Sequence, residues 1–152
     1  MYTLESRVGR LFEIRVQPPL SLDELRSFHP QITRIHARVV GQLVGCTDLR
    51  NARVFNLDVA DKLMSIIRTD GPGIERNVFL VGESAVFSMQ IARVIRAAGI
   101  PSRKAFLDPE EGVNWLAEVL SPVELRRLRE FVAAGDAPLP EVPERPERRE
   151  GR

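Results

Sequence analysis

The sequence predicts an α/β fold: an N-terminal β-hairpin followed by alternating helices and strands, forming a mixed, mostly parallel sheet with helices packed on it. Three observations predict it. "YTLESRV" and "LFEIRVQ" alternate apolar and polar residues around Gly9, the period-2 signature of paired strands. "GQLVGCTDL" and "NVFLV" are short, nearly continuous apolar runs, as expected of strands buried on both faces. Each of these runs leads into a segment with apolar residues at helical spacing.

Taken in order, the hairpin turns near Val8 to Arg10, and Pro18 and Pro19 stop its second strand. Ser21, with Glu24 three residues on, forms a capping box that starts a helix. Pro30 disfavours helix at His29, so this region is expected as two pieces, "LDELRSF" and "QITRIHARV", broken near His29. After the first buried strand, Val59, Leu63, Ile66 and Ile67 recur at helical spacing until Gly71, Pro72 and Gly73 close the helix. "NVFLV" is followed by "SAVFSMQIARVIRAA", with Gly99 suited to the left-handed residue that ends a helix. "SRKAFL" is the last strand, and Asp108 with Pro109, then Ser121 with Pro122 and Glu124, open two more helices.

The domain is expected to span residues 1–134. Residues 135–152, mostly "DAPLPEVPERPERREGR", are rich in Pro and charge and are expected to form a disordered tail. With Lys+Arg 22 against Asp+Glu 21, no net field would draw the chain to nucleic acid or an anionic membrane. No window reaches the length of a membrane span and no leader is legible at the N-terminus, so a cytoplasmic location is expected. The single cysteine, Cys46, reads as a small buried apolar residue.

Few constellations could carry chemistry. His29, His36 and Cys46 are too few and too dispersed for a metal centre, and His29 and His36 read as two partly exposed polar residues. Ser84 follows a strand and precedes a helix, but without the second glycine of a nucleophile elbow it reads as an N-cap. Neither "GPG" nor "VGE" matches a phosphate-binding loop. No cofactor and no enzymatic activity are expected. Asn56 can cap free amides, and Asp58 meets the positive end of the helix dipole.

The element order and this corner together resemble STAS domains, the bacterial anti-sigma factor antagonists, whose signature runs like "DLSxVxxIDSSGLxxL". "DLRNARVFNLDVADKL" aligns with it through Asp48, Leu49, Phe55, Asn56 and Leu63. "SRKAFLDPEEGVNWLAEVL" is similar to the ending of STAS-like proteins through Phe106, Asp108, Glu110, Glu111, Trp115 and Leu116. The resemblance spans about Tyr2 to Leu120 and implies a STAS-like fold. It also implies a bacterial signalling role, with a protein partner, kinase-like or another signalling protein, held at the loop and helix start.

In that family a loop serine is phosphorylated; here the two serine positions hold Leu57 and Asp58, so a phosphoserine switch is not expected there. The residues expected to touch the partner are Asn51, Asn56, Leu57, Asp58 and Asp61, with Glu83 and Ser84 from the next helix start. Three alternatives stay open. A small-ligand or lipid site would show as an apolar pocket near Phe12, Phe87 or Met89. An enzyme would use Asp48 or Asp58 as a base. A homodimer would use the hairpin edge or the stripe Val123, Leu125, Leu128, Phe131 and Val132, unless that stripe packs on its own domain.

Overall fold

The computed structural model describes residues 1–136; the expected tail lies outside them except for Gly135 and Asp136. The strands are β1 (Tyr2–Glu5), β2 (Leu11–Val16), β3 (Leu43–Leu49), β4 (Ile74–Val81) and β5 (Arg103–Phe106). The helices are α1 (Leu22–Arg26), α2 (Phe28–His36), α3 (Leu57–Asp70), α4 (Ala85–Ala98), α5 (Pro109–Ala117) and α6 (Pro122–Gly135). They form one sheet in the order β1-β2-β3-β4-β5. β1 pairs antiparallel with β2, and every other pair is parallel. The α/β class and the opening hairpin are as the sequence predicts.

Sequential strand order has a geometric consequence. Right-handed crossovers between neighbouring parallel strands send their helices to the same face, so the opposite face has to be covered by something else. Accordingly, α1 to α4 share one core with Phe12, Ile14, Leu49, Phe79 and Val81. On the other face α5 and α6 fold back over Leu11, Val44, Cys46, Val78 and Leu80. Alternate residues of each central strand enter opposite cores, which is why all of β3 is buried. The α6 stripe is used within the domain: Leu128, Phe131 and Val132 are buried in the second core, with Leu125 packed beside them. Val123 stays exposed.

One break differs from expectation. The break between α1 and α2 falls at Ser27, not near His29, and Pro30 lies inside α2. It is the third residue of that helix, where a backbone N–H would have no intrahelical partner, so its missing hydrogen costs nothing. His29 and His36 therefore share one helix and line one cleft with Asp70 and Pro72. His29 Nδ1 lies 2.5 Å from Asp70 Oδ1, and His36 Nε2 lies 3.0 Å from the Gly41 carbonyl.

Buried charges fasten α6 to the sheet. Arg127 donates to both oxygens of buried Glu13, each at 2.7 Å. Ser121 and Glu124 close the expected capping box, and Glu124 also accepts from the Arg10 amide at 2.8 Å, tying the start of α6 to the hairpin turn. Cys46 is fully buried, and burial pushes its thiol well above the ordinary range.

Candidate functional site

β3 and β4 run parallel with Leu49 opposite Val81, so the segments that leave them emerge together at the C-terminal edge of the sheet. α3 and α4 begin there. Asn56 is the N-cap of α3, its Oδ1 accepting from the Val59 amide at 2.9 Å. Ser84 is the N-cap of α4, its Oγ accepting from the Phe87 amide at 3.3 Å. Both assignments agree with the sequence reading. Asn56→Ala is expected to lower stability by about 1 kcal/mol, read as a fall in the urea midpoint with an unchanged m-value.

The two helix starts are bonded to each other. Gln90 of α4 accepts from the Phe55 amide at 2.8 Å and donates to the Phe55 carbonyl at 2.7 Å, standing in for a neighbouring strand. The Phe55 and Phe87 rings meet edge to face with centroids 5.2 Å apart, a favourable aromatic geometry. The loop before α3 is thus fixed from both its backbone and its ring. Nothing in the local sequence announces the Gln90 contact, since the partners are 35 residues apart.

All seven expected contact residues lie on these two segments. Asn56, Leu57, Asp58, Asp61, Glu83 and Ser84 are exposed, and Asn51 is half-buried in the turn after β3. The side-chain oxygens of Asn56 and Ser84 are occupied as caps, which leaves Leu57 and the carboxylates of Asp58, Asp61 and Glu83 as the outward chemistry. The same two segments leave four apolar side chains exposed, the expected Leu57 at 74% and, beside it, Val54 at 53%, Val86 at 67% and Met89 at 69%. Four large apolar side chains left in water on two adjoining helix starts are unusual, because scattered single exposures are the norm for a monomeric surface. Their signal was available: Val86 and Met89 lie off the buried Phe87, Ile91, Val94 stripe of α4.

Asp48, a candidate base on sequence grounds, is engaged elsewhere. Arg50 donates through its amide and Nε to Oδ1, at 3.1 and 3.0 Å, and through Nη2 to Oδ2 at 3.0 Å. Arg15 Nε adds a bond to Oδ2 at 3.2 Å. Burial alone would raise this carboxyl, but the Arg50 side-chain and backbone donors, helped by Arg15, outweigh it and hold the group below its usual range. The same arginines reach on to α6, Arg50 donating to the Val132 carbonyl at 2.8 Å and Arg15 to that of Phe131 at 2.5 Å. Asp48 therefore anchors the last helix.

An apolar cavity reaches Leu49 and Phe55 at this edge of the sheet. It measures about 50 Å³ and sits between the sheet and helices α1 and α3. Phe12, Phe87 and Met89, the residues expected to mark such a pocket, are not among its walls. Phe12 instead fills space beside Gly45, and Phe87 is spent on Phe55.

Among the described residues, no group of three or more His, Cys, Asp or Glu side chains converges to hold a metal, and no helix is long and apolar enough to cross a membrane. No family model, curated protein or solved structure matches this chain.

Proposed function

We propose that this chain is a non-enzymatic, STAS-like interaction module that captures a protein partner on the paired starts of α3 and α4, without a phosphoserine switch. The observation that carries this reading is the exposure of Val54, Leu57, Val86 and Met89 on segments that Gln90 and the Phe55–Phe87 pair hold in place. Exposed apolar side chains on segments that also carry exposed Asp58, Asp61 and Glu83 fit the usual anatomy of a docking patch, an apolar centre with a polar rim. Because the loop is fastened before the partner arrives, little ordering entropy is lost on contact. Asp58, Asp61 and Glu83 would favour a partner with a basic rim. Asp58 carries one permanent charge where STAS relatives carry a serine that can gain nearly two, which supports a constitutive binder.

The test is affinity capture from the native cell with wild type, Leu57→Asp, Asp58→Lys and, on the far face, Val123→Asp. A protein retained by wild type and Val123→Asp but lost from both site variants, all four showing the same thermal unfolding, is the expected result. Identical capture by all four would remove this surface from consideration.

A further inference from the structure

We propose that the cavity between the sheet and helices α1 and α3 is a binding site for a small aliphatic molecule bearing a neutral hydroxyl, read by Asp70. This inference is independent of the docking surface. The cavity of about 50 Å³ exceeds the roughly 10–15 Å³ that holds one water. Its walls are largely apolar, with Ile14, Leu25, Leu63 and Ile67 contributed by β2, α1 and α3.

Four polar side chains break that apolar lining: Thr47, Asn77, Asp70 and Arg103. All four are buried. Thr47 donates to Asn77 Oδ1 at 3.2 Å. Arg103 donates to the carbonyls of Gly71 and Ile74, each at 3.3 Å, and to Ser102 Oγ at 2.8 Å. Asp70 is the exception. Its Oδ1 is taken by His29 in the outer cleft, whereas Oδ2 is buried and has no hydrogen-bond partner among the described residues. An unpaired buried carboxylate oxygen is costly, and its residue lines both the outer cleft and the cavity.

Charge selects the head group. The cavity wall holds one carboxyl, Asp70, and one guanidinium, Arg103, whose formal charges cancel. An ammonium added beside them would leave an uncompensated buried charge, and a carboxylate would add a second anion to Asp70. A neutral donor satisfies Oδ2 without either cost. Half-buried Tyr2, Leu20 and Phe28 form the outer part of the wall, where a short hydrocarbon tail could extend.

The test uses 1-pentanol and its isomer butyl methyl ether, which has the same atoms and no donor, with pentylammonium as the charged control. Each is titrated into the full chain while the methyl resonances of Ile14, Leu25, Leu63 and Ile67 are followed by NMR. Saturable shifts at these methyls with 1-pentanol, about tenfold tighter than with the ether and tighter than with pentylammonium, are expected. Asp70→Asn is expected to erase most of the preference for the alcohol over the ether. Absence of saturable shifts, equal affinity for the two isomers, tighter binding of pentylammonium, or an undiminished preference in Asp70→Asn would each overturn the assignment. If Asp70→Asn does not fold, the comparison of isomers on the wild-type chain decides alone.

Discussion

Asp48→Ala is expected to destabilise the protein by roughly 3–5 kcal/mol, because it strands two arginines that the fold has pulled out of water. Arg50 is largely buried and Arg15 partly so, and among the described residues Asp48 supplies all of their carboxylate contacts except the one between Arg50 and exposed Asp136. A typical domain has only about 5–15 kcal/mol of stability in total, so the loss should be plain in urea unfolding followed by Trp115, the single tryptophan. The carboxyl is held below its ordinary value of 3.8 in the folded chain. Unfolding therefore takes up a proton at low pH. The stabilisation is complete above that ordinary value and disappears as pH falls through the lower folded one. Wild type should lose stability on acidification in that window, and Asp48→Ala should lose less of what remains. Replacing the whole group, Asp48→Leu with Arg15→Met and Arg50→Met, should cost less than the single change, since apolar substitutes need no partner. If the single variant unfolds within about 1 kcal/mol of wild type, the anchoring role of Asp48 is wrong.

This clamp also shows where sequence reading stops. Strands, helix starts and the order of elements were legible because they depend on neighbours a few residues apart: Ser21 with Glu24, Asn56 with Val59, Ser121 with Glu124. The partners of Asp48 include Arg15, 33 residues away, and through it the end of α6, 116 residues from Arg15. No periodicity encodes such a pairing. For the same reason Asp48 could be read as a base, and the unpaired oxygen of Asp70 left no trace in a segment that reads only as the end of a helix. Pro30 misled in the other direction: its rule is local, but its meaning depends on which turn of the helix it occupies. For the edge proposed to hold a partner, the sequence places both helix starts, and the structure brings them side by side. The caps at Asn56 and Ser84 were legible, but that Leu57 would be joined in water by Val54, Val86 and Met89 was not.

Gly45→Ala should be among the most damaging single-atom additions to this chain. In the parallel ladder Gly45 is opposite Phe12, and a β-carbon built on Gly45 would lie 2.0 Å from the tip of the Phe12 ring. Phe12 is completely buried in the first core, so the ring cannot swing into solvent; the strands or the packed helices must move instead. Overpacking of this kind costs roughly 1–3 kcal/mol, and more where backbone must shift. Phe12→Leu alone should also destabilise, by roughly 1–2 kcal/mol for lost apolar contact. The double variant distinguishes a specific clash from general intolerance at a central strand. If ring and methyl compete for one space, Gly45→Ala with Phe12→Leu should be more stable than the sum of the single effects by about 1 kcal/mol or more. Strict additivity would mean that β3 resists a side chain at position 45 for reasons unrelated to Phe12. A favourable coupling would instead identify the pair as the contact that sets how closely β2 and β3 support the helices above them, and with them the floor on which the start of α3 rests.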